Sequence, residues 1–87
     1  MAIFSVTTVI PSKSGFVWFP AEFEQATLDD LFEDMAQDGC VKCQKIILES
    51  QGGTRIARKR EPMILGLPGI VTITPMHIDF VEAVDAN

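Results

Sequence analysis

Apolar and polar positions alternate with period two at the start of the chain and later switch to a helical period. Within residues 2–10, Phe4, Val6, Thr8 and Ile10 share one side of an extended, β-branched run, which predicts a strand. Pro11, Ser12, Lys13, Ser14 and Gly15 have turn composition. Phe16, Val17, Trp18 and Phe19 follow as a second, very apolar strand, so the two runs predict a hairpin. Pro20 is expected to end that strand or bend it onto a sheet edge. Phe23 is expected to tuck inward between Glu22 and Glu24.

The helical period runs through residues 27–38. Leu28, Leu31, Phe32 and Met35 fall at i, i+3, i+4 and i+7, one stripe expected to be buried. Thr27 is placed as the N-cap, with Asp30 where an acid can bond back to it. Asp29, Asp30 and Glu33 lie in the first turns, where the helix dipole favours negative charge. Gly39 is a natural stop.

Strand patterns return after the helix. Residues 40–50 carry Ile46, Ile47 and Leu48 and read as a buried strand. Gln51, Gly52 and Gly53 form a tight turn, and residues 54–60 a partner strand that holds most of the basic charge. Glu61 and Pro62 are expected to interrupt it before Met63, Ile64 and Leu65 resume it. Leu67-Pro68-Gly69 has the order a type II turn favours. Residues 70–74 are a further strand, which Pro75 breaks. Met76, Ile78 and Phe80 alternate in a last strand, or residues 78–84 form a short helix.

The order is β-β-α-β-β-β ending in a meander. It predicts an α+β fold, one amphipathic helix packed on an antiparallel sheet of about four to six strands. With 87 residues, residues 1–87 make one domain. The sheet face away from the helix is left to be explained.

Composition changes the picture mainly by what it removes. The chain has no Tyr, one Trp and one His, which strips out most of the usual acid–base repertoire. A net charge of −5 opposes nucleic acid and anionic membranes at long range and favours a basic protein surface as partner. The apolar stretch at 63–73 is interrupted by Gly66, Pro68 and Gly69 and is too short to span a bilayer. The first residues lack the basic start of a secretory signal, so the cytoplasm is the expected compartment.

The distribution of charge is more informative than its sum. Residues 14–41 hold seven acids (Glu22, Glu24, Asp29, Asp30, Glu33, Asp34 and Asp38) and no Lys or Arg, whereas residues 55–60 hold Arg55, Arg58, Lys59 and Arg60. Asp30, Asp34 and Asp38 recur every fourth residue, about 6 Å of helix rise apart. Like charges at that spacing repel by a few tenths of a kcal/mol per pair. With Asp29 and Glu33 they give roughly one charge per 3 Å of axis, against one per about 1.7 Å for duplex DNA. Two readings stand side by side: a solvated face that keeps a small protein soluble, or an anionic docking surface that imitates a phosphate row. The basic strand has a parallel pair of readings, contact with phosphates or pairing with the acidic segment, within the molecule or between copies.

Other candidate chemistry is sparse. Cys40-Val41-Lys42-Cys43 is a single C-x-x-C, but it follows a helix and enters a strand, opposite to the redox context. A zinc site would need further ligands, of which His77 is the one histidine. Small apolar side chains in a reducing compartment are the simpler reading. His77 and Asp79 with either Cys lack an oxyanion element, and Gln51-Gly52-Gly53 lacks the spacing of a phosphate loop. No catalytic residue, cofactor or metal is expected. Phe16, Trp18 and Phe19 read as core, with Trp18 at an interface if one sheet face stays open.

Two resemblances follow. The segment Phe16-Val17-Trp18-Phe19-Pro20 followed by Thr27-Leu28-Asp29-Asp30-Leu31 resembles the hairpin-plus-helix of HicB-type antitoxins. In size, acidity and layout the whole chain resembles phage-encoded anti-CRISPR proteins. That second resemblance implies a DNA mimic in the host cytoplasm, whose carboxylates occupy the basic nucleic-acid channel of a host complex. The expected function is therefore a non-enzymatic inhibitor that binds through Asp29, Asp30, Glu33, Asp34 and Asp38, extended by Glu22 and Glu24. The alternative is a self-assembling module, a homodimer included, or an antitoxin-like partner of a basic protein.

Overall fold

The computed structural model describes residues 2–9, 15–76 and 79–82. The elements are β1 (Ala2–Val9), β2 (Phe16–Phe23), α1 (Leu28–Asp38), β3 (Cys40–Gln51), β4 (Thr54–Gly66), β5 (Ile70–Pro75) and β6 (Val81–Glu82), with a 3₁₀ turn at Leu67–Gly69. The strands form one six-stranded sheet in the order β5-β1-β2-β3-β4-β6. This is the expected α+β layout, with two differences. β5 returns to pair with β1, so the second half is not a meander, and β6 runs parallel to β4. Ile10, the turn residues 11–14, and parts of the last expected element (77–78 and 83–84) lie outside the described residues.

Pro20 was expected to end its strand or bend it onto a sheet edge, and Glu61-Pro62 to interrupt the basic strand; neither strand breaks, and β2 lies inside the sheet, between β1 and β3. β2 continues through Pro20 to Phe23, and β4 runs unbroken through Pro62. A proline is tolerated where one side of its strand needs no ladder bond. β2 pairs with β3 only at Ala21 and Glu22, just past Pro20, and β6 meets β4 only at Ile56 and Ala57, well before Pro62. Leu67-Pro68-Gly69 forms a 3₁₀ turn, not a type II turn. Its Pro lies at the start, where the missing N–H costs no helical bond. Gly52 and Gly53, at φ +59° and +82°, supply the two left-handed residues of a tight hairpin turn between β3 and β4.

Strand pairing divides the sheet into two faces. Ala2, Phe4 and Val6 of β1 lie opposite Phe23, Ala21 and Phe19 of β2. These residues, with Val41, Cys43 and Leu65, bury their side chains against Leu31 and Met35 of α1. Phe4 and Phe23 stack at a tilt, ring centroids 5.6 Å apart. Lys45 extends over Phe19 with its ammonium 5.2 Å from the ring centre, a cation–π contact.

The face away from α1 has its own contents. Ser5 is buried there and donates to the Met76 sulfur at 3.3 Å. Ile46 and Ala57 are buried, next to the ion pairs of Arg60. β5 and β6 lie at opposite edges of the sheet. Met76 and Glu82 are both held to this second face.

Candidate functional site

The acids from 14–41 converge through two local devices. Thr27 Oγ1 accepts the Asp30 amide at 3.1 Å, which fixes the first turn of α1. Gly39, at φ +76°, ends the helix and donates its N–H back to the Met35 carbonyl. Between these ends Asp30, Asp34 and Asp38 stand in one row. The second device is Gln25, whose side-chain amide donates to Asp34 Oδ2 at 2.8 Å and holds the segment after β2 against the helix. That brings Glu24 alongside. Glu24, Gln25, Asp30, Glu33 and Asp34 line one hollow of about 480 Å³. Glu24, Gln25, Asp34 and Asp38 line the next, with Cys40 and Lys42.

Two of the seven acids go elsewhere. Asp29 turns to the opposite flank of α1, where it joins an apolar groove. Glu22 points to the second sheet face, because it alternates with the buried Ala21 and Phe23 along β2. There it lies 3.6 Å from Arg60 Nε. The expectation that Glu22 extends the acidic patch is therefore corrected: its charge is matched within the molecule.

The basic strand is largely consumed by local partners. Arg58 donates to Glu49 and Gln51, each at 3.0 Å. Lys59 lies 3.8 Å from Glu61. Arg60 makes a two-pronged pair with Glu82 at 2.6 and 2.8 Å. That hydrogen bond, with the nearby charges of Glu82 and Glu22, raises the Arg60 pKa and lowers that of Glu82. A β-bulge at Ile47/Leu48 aids this arrangement. Arg58 is the extra residue, and it is turned out next to Lys59 towards Glu49. The basic segment thus pairs with acids outside α1, Glu22 being the sole contribution from the acidic stretch among the described residues. No ion pair reaches Asp29, Asp30, Glu33, Asp34 or Asp38 among the described residues.

The stripe on α1 is only partly buried. Leu31 and Met35 are in the core and Leu28 is half-buried, but Phe32 is 71% exposed. This corrects the expectation of four buried residues. The sheet ends at β5, so the flank of α1 that carries Phe32 overhangs the edge. It leaves a groove of about 390 Å³ between α1 and β5. Leu67 and Val71, 44% and 45% exposed, form the other wall with Ile70 and Ile73. Val71 shares the groove side with Ile73, two residues on, and a second bulge, opposite Thr7/Thr8 of β1, brings Ile70 to that side as well. Phe16 and Trp18, read as core from the sequence, are exposed near the start of β2, whereas Phe19 is buried.

The two cysteines do not cooperate. Positions 40 and 43 on a strand face opposite sides of the sheet, and about 10 Å of strand separates them, too far for a disulfide. Cys40 is exposed and Cys43 buried. Burial pushes the Cys43 thiol up to about 11, away from thiolate reactivity. No cluster of three or more His, Cys, Asp or Glu suited to a metal ion occurs among the described residues. His77 lies outside the described residues, and Asp79 is exposed. No described helix is long and apolar enough to cross a membrane.

No family model, curated protein or solved structure matches this chain.

Proposed function

We propose that the chain is a non-enzymatic binding protein that presents α1 to a basic, nucleic-acid-binding surface of another protein and inhibits it by standing in for phosphates. The observation that carries this reading is the unmatched charge of α1. Asp29, Asp30, Glu33, Asp34 and Asp38 make no ion pair among the described residues, although Arg58, Lys59 and Arg60 are all paired with other acids. An ordinary solvated helix mixes both signs. A helix with one sign alone accepts repulsion between its own carboxylates and keeps a field that steers a basic partner. The pairing of Arg58, Lys59 and Arg60 leaves Arg55 alone among the cations of the basic strand without an ion pair among the described residues, which disfavours self-assembly through a neighbour's acidic helix.

The test is competition. The immobilised protein, exposed to lysate of its source cell at about 0.15 M salt, is expected to retain a nucleic-acid-binding protein that added duplex DNA releases. An Asp30→Lys, Asp34→Lys double variant is expected to retain none while keeping its fold by circular dichroism. Retention that survives the double reversal overturns the reading.

A further inference from the structure

The groove between α1 and β5 adds something that charge alone does not provide. Its walls are apolar side chains, and Phe32, Leu67 and Val71 are left open to solvent on a small protein that has little apolar surface to spare. At about 390 Å³ it falls within the size range of sites that enclose a ligand group. Its rim is not neutral. Asp29 lines it directly, and Glu33 stands next to Asp29 one helical turn on, whereas Asp30 belongs to the other flank. The bulge at Val71 sets Ile70 on the same side as Val71 and Ile73, where a regular strand would have turned Ile70 to the other face.

Resting on the reading of α1 as a docking face, we infer that this groove seats a bulky apolar side chain carried on the partner's basic surface. Charge decides the class of occupant. A second copy of this chain, joined through the same groove about a two-fold axis, would set α1 against α1. The carboxylates of both would then face each other with no cation between them. A foreign segment with Arg or Lys around a Leu- or Phe-sized anchor meets the opposite condition. Its cations face Asp29 and Glu33, and its apolar group covers Phe32 and Val71. The division of labour is the usual one, in which charges set the rate of encounter and the buried anchor sets the rate of escape. A surface of carboxylates alone would bind any basic protein. The groove makes the choice among them.

Two dye-labelled peptides of equal charge separate the two contributions. One alternates Arg and Ser, and the other has two central Ser replaced by Leu. At low salt both are expected to bind, and both are expected to weaken as salt rises. The Leu peptide is expected to bind about tenfold more tightly, the value of burying one such side chain. Phe32→Ser or Val71→Ser should erase that difference and leave the affinity for the Arg–Ser peptide unchanged. Both side chains are exposed, so neither change threatens the fold.

Equal affinity of the wild-type protein for the two peptides would overturn the groove while leaving the acidic face in place. So would a difference that persists in both serine variants. Failure of both peptides to bind at low salt removes the acidic reading, and the groove with it. Sedimentation of the protein alone covers the remaining case: a dimer that Phe32→Ser dissolves gives the groove to a second copy and overturns the inference.

Discussion

Cys40 and Cys43 illustrate how strongly one residue of offset matters in a strand. The sequence offers them as a pair, and the pleat separates them onto two faces, one in solvent and one under α1. The consequence is chemical. In the native state a thiol-specific reagent at pH 8 is expected to add one label, on Cys40, by mass spectrometry, and two labels in denaturant. Burial holds Cys43 at about 11 against an ordinary value of 9.0. The folded state therefore keeps its proton where the unfolded chain would release it. Stability from this group is complete below the unfolded value and falls as pH rises through 9 towards 11. Urea titrations at pH 8 and pH 10 should show the decline, and Cys43→Ala should flatten it.

At the scale of elements, α1 is fixed by its ends and by two buried residues. Leu31→Ala, which empties a fully buried position, is expected to cost about 2–5 kcal/mol in urea unfolding. Gly39→Ala forces a side chain into φ +76° and is expected to cost about 1 kcal/mol. The helix, its Thr27 cap and its Gly39 stop were legible in the sequence because each depends on neighbours within four residues. The β3–β4 hairpin was legible for the same reason, through Gly52 and Gly53. What local pattern could not reveal was anything decided by a distant strand. Phe32 satisfies the helical stripe but overhangs the sheet because the edge strand β5 lies where it does. Pro20 and Pro62 satisfy the rule for strand breakers, yet each sits where one side of its strand has no neighbour. Glu22 belongs to the acidic stretch by position and to Arg60 by the alternation of β2. The acidic row Asp30, Asp34 and Asp38 was readable from spacing, whereas the apolar groove on the other flank of α1 required the return of β5 to β1.

For the whole molecule, Arg60 is the junction. It joins Glu22 of β2 to Glu82 of β6 across the second sheet face, and so ties the last strand back to the first half of the sheet. The hydrogen bond from Arg60 lowers the pKa of the Glu82 carboxyl. The tie is therefore complete above the ordinary carboxylate range near 4.3 and is lost as pH falls through the depressed value. Exposed pairs contribute at most about 1 kcal/mol, so the effect is local. The protection factors of the Val81 and Glu82 amides, with the intrinsic pH dependence of exchange divided out, are expected to fall on acidification, with little change for the core amides of β1 and β2. Arg60→Ala should produce the lower protection at neutral pH and remove its dependence on acid.

The partnership of β1 with β5 also bears on synthesis. Ser5 and Met76, in contact in the finished protein, are 71 residues apart along the chain. At roughly 5–20 residues per second, a ribosome spends several seconds between making the two. During that interval β1 can pair with β2, but a lone hairpin is marginal in water, and the outer edge of β1 stays open to any strand nearby. The hollow beneath Phe32 has no second wall until Val71 arrives. The nascent chain therefore carries its acidic helix well before it carries the groove, and its negative charge is the protection it has against neighbours until the sheet closes.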